Sequence, residues 1–316
     1  MKVLLIGSGG REHALAQALR RDPELTELHA APGNPGIADF ATLHDLDIEQ
    51  NVLVLALAKE LAVDLVIIGP EKPLVNGLAD ELRKAGIAVF GPSAIAAKLE
   101  GSKDFAKQVM HDAGVPTARS FTCSTEVLIE AALDAFGAPY VVKHDGLAAG
   151  KGVIVTSDRQ LARDHAYLST RVVIEEFLDG PEISLFGISD GTTIVAMAPV
   201  QDFKRVFDAD LGPNTGGMGA YSPLPWAPAD IVEQALLQVL KPTVAEMKAR
   251  GTPFIGLLYA GLALTSEGLK VIEFNARFGD PETQALLPRL QTPLATLLYQ
   301  AATGALHEAP ALEWSP

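Results

Sequence analysis

Three times in the first hundred residues an apolar run stops at glycine and a helical pattern begins. Val3–Ile6 runs into Gly7-Ser8-Gly9-Gly10, and Arg11–Arg20 follows with Ala14, Leu15, Ala18 and Leu19 on one face. Val63–Ile68, apolar but for Asp64, reads as a strand buried on both faces and ends at Gly69-Pro70-Glu71. Ile87–Phe90 is closed by Gly91-Pro92. Val52–Leu61 and Leu78–Ala85 read as helices. Leu28–Ala31, stopped by Pro32-Gly33-Asn34-Pro35-Gly36, reads as a further strand. This alternation predicts a doubly wound α/β parallel sheet, with ligands at the C-terminal ends of its strands.

From about Glu100 the pattern changes. Lys103–Ala113 reads as a helix that Pro116 ends. Phe136–Val142, the glycine-rich Asp145–Gly152 and Val153–Val155 read as strand, mobile loop, strand, and Val172–Phe177 as another strand. Ile183–Val200 suggests a hairpin around Asp190-Gly191. Ala229–Arg250 reads as a long helix. Gly256–Leu264 and Leu269–Phe274 form a second hairpin pair about Ser266-Glu267-Gly268. The second half is therefore α+β with antiparallel strands, and no repeat or low-complexity tract interrupts it.

Charge and cysteine usage narrow the function classes. Lys plus Arg number 25 against 39 Asp plus Glu, a formal net charge of −14. That argues against nonspecific nucleic-acid or anionic-membrane binding, but not against a small anionic substrate. Cys123 is the only cysteine, so an internal disulfide and a Cys-rich zinc site are excluded. Val52–Ala58 and Leu257–Leu264, the longest apolar stretches, fall far short of the ~18 residues that span a bilayer. Val3–Ile6 is too short for a signal peptide, and the cytoplasm is the expected location.

Four segments carry chemistry. In Gly7-Ser8-Gly9-Gly10-Arg11, backbone N–H groups and a helix N-terminus would meet an anion, with Arg11 as a fork donor. A bare βα turn is the competing reading. A dinucleotide dehydrogenase is disfavoured because Ala30-Ala31-Pro32-Gly33-Asn34 supplies no acid after the second strand. Lys143 sits at a strand end beside the glycine-rich segment that carries Lys151, an arrangement suited to nucleotide phosphates. A Walker-type loop is excluded, since Gly152-Val153 already begins a strand. Glu273 and Asn275 alternate along a strand and so share a face, with Phe274 opposite. A carboxylate and an amide oxygen so placed suit Mg²⁺ when phosphates complete its shell, and Arg277 follows roughly on that face. Gln201–Arg205 with Gly212–Tyr221, holding four glycines, reads as a long substrate-contacting loop.

The blocks GSGGREHA, PGNPG, IGPEKPL, FGPS, LEGSK, VVKHDGLAAGKGV, EEFLDGPE, QDFKR, GPNTGGMGAYSP, GLLYAGL and VIEFNARFGDPETQ follow one another in order. Together they resemble the glycinamide ribonucleotide synthetases, phosphoribosylamine–glycine ligases of the ATP-grasp fold, from residue 1 to about residue 306. The resemblance implies an N-terminal Rossmann-like phosphoribosylamine-binding domain over 1–103. An ATP-grasp domain follows over 104–316, split into a small lid subdomain (117–178) and a larger one (179–316). It implies that glycine and 5-phosphoribosylamine are joined in purine synthesis at the expense of ATP, through a glycyl phosphate, with Mg²⁺ or Mn²⁺. The chain would act as a monomer on these small molecules, without nucleic-acid or membrane partners.

By the same resemblance, Gly9, Gly10 and Arg11 of the first loop, with Gly33–Gly36 and Glu71, belong to the phosphoribosylamine pocket. Lys107, Lys143 and Lys151 hold ATP phosphates. Glu175–Leu178, with Phe177, forms the hinge strand beside adenine, and Glu182 accepts from the ribose. Glu273 and Asn275 hold the metal. Asp202, Lys204, Arg205, Asn214 and Arg277 orient glycine and the acyl phosphate. Tyr259-Ala260-Gly261-Leu262 offers no third metal carboxylate. Three features depart from the family pattern: His144 beside Lys143, a short Gln160–Arg171 segment, and an end at Pro316 where the family continues into a further C-terminal domain. The absence of that domain predicts a chain that folds and binds ATP but turns over poorly. The alternatives are an ATP/Mg-binding fragment with little turnover, or an ATP-grasp ligase for another carboxylate and amine.

Overall fold

A computed structural model of the chain describes residues 1–147, 152–208 and 211–316, and all side chains among them except those of Pro213 and Asn214. The N-terminal region is a five-stranded, all-parallel sheet: β1 (Lys2–Gly7), β2 (Glu27–Pro32), β3 (Thr42–Leu43), β4 (Leu65–Ile68) and β5 (Ala88–Phe90). Its order is β3-β2-β1-β4-β5, so the chain winds outward from β1 in both directions. Helices α1 (Gly10–Leu19), α2 (Asn51–Glu60), α3 (Glu71–Val75) and α4 (Leu78–Lys84) connect the strands. All four residues of β4 are buried, as a strand covered on both faces requires.

After α5 (Lys98–Gly101) and α6 (Lys103–Asp112), a small lobe forms a second sheet. It consists of β6 (Ser120–Cys123), β7 (Tyr140–His144), β8 (Val153–Thr156) and β9 (Val172–Glu175), ordered β6-β9-β7-β8 and antiparallel throughout. Two helices unforeseen in the sequence, α7 (Glu126–Phe136) and α8 (Arg159–Tyr167), pack on it. Phe136 therefore ends a helix, and the strand begins at Tyr140. The lobe has an apolar core of its own, including Ile129, Leu133, Val142, Val172 and Ile174. Polar contacts tie it to the body: Ser102 Oγ donates to Asp145 at 3.0 Å, Arg171 pairs with Asp104, and Lys270 approaches Glu176 at 3.7 Å.

The third sheet carries β10 (Glu182–Asp190), β11 (Ile194–Ala196), β14 (Ile255–Thr265) and β15 (Gly268–Asn275) in the order β11-β10-β14-β15. The segment 201–221, expected as a long loop, is instead a two-stranded hairpin of β12 (Gln201–Phe207) and β13 (Leu211–Tyr221). Its glycines mimic loop composition, but backbone pairing holds it, with register shifts about Arg205. The expected long helix is continuous in direction but not in type: α9 (Ile231–Ala235), a π segment (Leu236–Leu240) and α10 (Lys241–Ala249). Helices α11 (Glu282–Leu286) and α12 (Leu294–Thr303) close the fold against α1 and β5. Two further cores join the first and third sheets, with Ile6, Val66, Phe254 and Val271 in one, and Phe90, Phe186, Tyr259 and Phe278 in the other. No helix among the described residues is long and apolar enough to cross a membrane.

Candidate functional site

Strand register builds one wall of a polar cleft. Ser184 lies opposite Gly261 and Gly261 opposite Glu273, while Phe186, Tyr259 and Asn275 align one step further along. Paired residues share a face, so Glu182, Ser184, Tyr259, Glu273 and Asn275 all look the same way. Phe274, between the two proposed metal ligands, is buried behind them. Burial would raise the Glu273 carboxyl, but Lys204, Lys143, Lys103 and Arg277 together pull it below its ordinary value. Glu273 is thus ionised and ready for a cation. Carboxylate plus amide oxygen is a fitting donor set for a hard divalent ion that keeps its remaining positions for phosphate and water. No group of three acidic, His or Cys side chains suited to a metal occurs among the described residues.

Lys143 at the end of β7 is 3% exposed and donates to the Ile272 carbonyl at 2.8 Å. Its ammonium also meets Glu175 Oε2 at 2.8 Å, and Lys107 meets Glu175 Oε1 at 3.1 Å. Lys107 further donates to Thr117 Oγ1 at 2.9 Å and to the Ala118 carbonyl at 2.8 Å. Burial lowers its proton affinity, with Lys143 adding to the effect and Glu175 opposing it. One carboxylate therefore neutralises two lysines. The strand expected to reach Phe177 stops at Glu175, where these ion pairs hold it, and Phe177 lies beyond it, exposed. Glu182 stands exposed at the start of β10, yet crowding by the cleft walls raises its carboxyl, with Lys204 opposing.

The hairpin supplies Asp202 and Lys204, whose charged atoms lie 3.3 Å apart. Lys204 stays protonated well above its ordinary range, owing to the Tyr259 phenol first and then, against burial, to Asp202, Glu273 and Glu182. Arg205 is exposed. Lys151 lies outside the described residues, as does the Asn214 side chain. Arg277 follows β15 and joins two halves of the molecule. Its Nη2 meets Glu100 at 3.0 Å and donates to Asn275 Oδ1 at 3.5 Å, while its Nε lies 3.7 Å from Glu71. Glu71 opens α3 of the first sheet region, so one expected phosphoribosylamine contact sits beside the end of β15.

The first loop differs from its sequence reading. Arg11 is 8% exposed and turned inward: its Nε meets Glu12 at 2.5 Å and its Nη1 donates to the Phe278 carbonyl at 3.2 Å. The Gly9 N–H donates to Glu12 Oε2 at 2.6 Å. A Cβ at Gly7 would come within 2.6 Å of the Glu12 side chain, and one at Gly69 would collide with it. These glycines make room for Glu12, and Arg11 is not an open fork for a phosphate. Gly10 is similarly close to Gln284, whose Nε2 would lie 2.8 Å from an added Cβ.

Five further residues of this cleft escaped the sequence reading. Lys103 donates to the Gly146 carbonyl at 3.3 Å, and Glu100 accepts the Ala276 N–H at 2.8 Å. Tyr259 OH donates to Glu282 Oε1 at 2.7 Å and lies 2.8 Å from Ser184 Oγ. A tyrosine in the otherwise aliphatic GLLYAGL strand, and an acid just after FGDP, were the available signals.

Residues 1–100 match the family model described as phosphoribosylglycinamide synthetase, N domain. Residues 101–283 match the one described as phosphoribosylglycinamide synthetase, ATP-grasp (A) domain. A phosphoribosylamine–glycine ligase of Streptomyces coelicolor is 63% identical over 315 residues, which cover 100% of this chain and 76% of that protein. One from Leifsonia xyli is 57% identical over 100% of this chain and 77% of its own length. The crystal structure of phosphoribosylamine–glycine ligase from Thermotoga maritima superposes with a TM-score of 0.81 at 31% identity, covering 96% of this chain and 76% of that one.

Proposed function

Because the chain belongs to the phosphoribosylglycinamide synthetase family, we propose residue roles that let this cleft perform the family reaction. The activity is that of a carbon–nitrogen ligase of purine biosynthesis: ATP-dependent joining of glycine to 5-phosphoribosylamine. The observation that supports the assignment of roles is the gathering of the cations Lys143, Lys204 and Arg277 about Glu273, with Asn275 on the same face of β15.

Lys107 and Lys143 exchange Glu175 for the terminal phosphates of ATP. Phe177 and the backbone after Glu175 border adenine, and Glu182 accepts from the ribose. Glu273 and Asn275 would hold Mg²⁺ or Mn²⁺, which when bound neutralises phosphate charge and aligns the transferring group. Lys204 and Arg277, both cationic, bring the glycine carboxylate toward the γ-phosphorus. One carboxylate oxygen forms a bond to phosphorus, the bond to ADP breaks, and glycyl phosphate results. The phosphoribosylamine nitrogen then attacks the acyl carbon, phosphate leaves, and the nitrogen loses a proton. Fixed charges at Lys143 and Arg277 stabilise both steps by position and field rather than by covalent chemistry. Glu71, against Arg277, puts the amine-binding region next to the acyl group.

Phosphate release with ATP, Mg²⁺, glycine and freshly made phosphoribosylamine tests the reading. Omission of any one reactant should abolish release. Equal release without glycine or without the amine would refute it.

A further inference from the structure

We infer that His144 and His165 are a positioning pair: stacked on the face of the small lobe that carries α8, they fix the end of β7 and so hold the Lys143 ammonium where the phosphates of ATP meet it. This inference deepens the proposed function and rests on its reading of Lys143.

Lys143 is the last residue of β7 with a strand partner on both sides, Val153 of β8 and Val173 of β9. Alternation turns the next side chain, His144, to the opposite face, where α8 packs. There its ring stacks on that of His165, with centroids 4.2 Å apart and planes 16° from parallel. His144 Nε2 donates to the His165 carbonyl at 2.9 Å, and His165 Nε2 donates to the Gly152 carbonyl at 3.2 Å. The Gly152 carbonyl also accepts the His144 backbone N–H at 2.8 Å. One carbonyl thus joins both histidines, and the end of β7, the approach to β8 and α8 close into a ring of contacts.

Helix α8 has little apolar grip of its own on the sheet. Of its nine residues only Ala162 and Ala166 are buried. Its arginines, Arg159 and Arg163, pair with Glu130 of α7 rather than with β7. On the cleft side, the Lys143 ammonium rests on Glu175 and the Ile272 carbonyl. When it exchanges Glu175 for a phosphate, its aim depends on the strand that carries it. A shift of about 1 Å in a positioned group is enough to cost much of its effect.

The pair also makes this support sensitive to acid. A carbonyl only accepts, so both rings carry their proton on Nε2, and an added proton goes to Nδ1. Two imidazolium rings stacked at 4.2 Å repel, so the stack tolerates one added proton but not two. Burial holds His165 below its ordinary value, against the Gly152 hydrogen bond and with the help of His144. Among the described residues no other charge bears on His165. Asp145 and Arg171, beside the strand end, answer each other at 3.3 Å, and β8 has no ionisable side chain. The contacts are therefore intact above about pH 6.5 and are lost as pH falls through the lowered His165 value.

Calorimetry with a nonhydrolysable ATP analogue and Mg²⁺, at pH 7.5 and 5.5, tests the pair. At pH 7.5, His144→Ala should weaken binding about tenfold, and Lys143→Ala at least as much. Lys143→Ala/His144→Ala should lose no more than Lys143→Ala alone, because His144 acts through Lys143. His165→Gln still donates to Gly152 but takes up no proton, and should bind within about twofold of wild type at pH 7.5. On moving to pH 5.5, wild type should lose about twofold more affinity than His165→Gln does. If His144→Ala lacks a thermal transition, the pH comparison of wild type with His165→Gln decides. Folded His144→Ala that binds like wild type overturns the inference, as do additive losses in the double variant or equal pH dependence of wild type and His165→Gln. Lys143→Ala that binds as tightly as wild type refutes the reading of Lys143, and the inference with it.

Discussion

The loop after β1 and the cleft face around Tyr259 are both dense in polar groups beside strand ends, yet they balance in opposite ways. In the loop, every charge is answered from within: Glu12 takes the Gly9 N–H and the Arg11 guanidinium, and Arg11 also meets the Phe278 carbonyl. In the cleft, Glu282 Oε2 is buried with no partner, and Asp202 Oδ2 and Arg277 Nε make no hydrogen bond but lie 3.3 Å from Lys204 and 3.7 Å from Glu71. Native structures leave few such atoms, and three of the six among the described residues lie in this cleft. A saturated polar cluster holds a fold together, whereas an unsaturated one awaits a ligand.

Four measurements would break or sharpen that contrast. Glu12→Ala should have the largest effect, because it strands a buried Arg11 and the Gly9 N–H. Breaking a buried pair in this way costs about 3–5 kcal/mol, read as a drop in denaturant midpoint, with kcat per folded molecule little changed. An unshifted midpoint would move the loop into the ligand class. Glu273→Gln should reverse the balance, lowering kcat by about 10²–10³-fold while the midpoint moves less than in Glu12→Ala. Raising Mg²⁺ should partly restore it, and full activity at limiting Mg²⁺ would remove Glu273 from the metal site.

Ser102→Ala tests a third, purely structural polar group. Ser102 caps α6 by accepting the Phe105 N–H at 3.2 Å, and its loss should cost about 1 kcal/mol in chemical denaturation. No loss would mean that water replaces the cap.

The smallest effect is one of pH. Burial first, and Asp202 after it, raise the Glu282 carboxyl above its ordinary 4.5. The folded chain then holds a proton that the unfolded chain has released, so stability falls as pH rises from about 4.5 through the raised value and levels off above it. Glu282→Gln lacks this cost. Melting curves of the two proteins should therefore diverge with rising pH, the variant being the more stable at neutrality. Parallel curves would show Glu282 to be already satisfied.

The parallel sheet was legible because Val3–Ile6, Val63–Ile68 and Ile87–Phe90 carry their signal locally, in buried strands punctuated by glycine. The shared face of Glu273 and Asn275 was legible for the same reason, since alternation alone puts them together. Arg11 was misread because its partner, the Phe278 carbonyl, lies 267 residues away and leaves no trace in the motif. Tyr259 and Glu282 meet only once β14, β15 and the turn through Gly279 are in place. The 201–221 hairpin hid behind Gly212, Gly216, Gly217 and Gly219, and with most of β12 exposed its alternation marks no core. Helix α8 was missed because its charged sequence buries only Ala162 and Ala166.

The separate core of the small lobe has a consequence for how the cleft opens. Among the described residues its attachments to the body are hydrogen bonds and ion pairs, at Lys143, Glu175, Asp145 and Arg171, rather than shared apolar packing. A swing of the lobe would therefore uncover little hydrocarbon, and the heat-capacity change of opening would be close to zero. The enthalpy of opening would then be constant with temperature and its van't Hoff plot straight, whereas added salt, by screening the outer ion pairs, would shift the balance of open and closed forms.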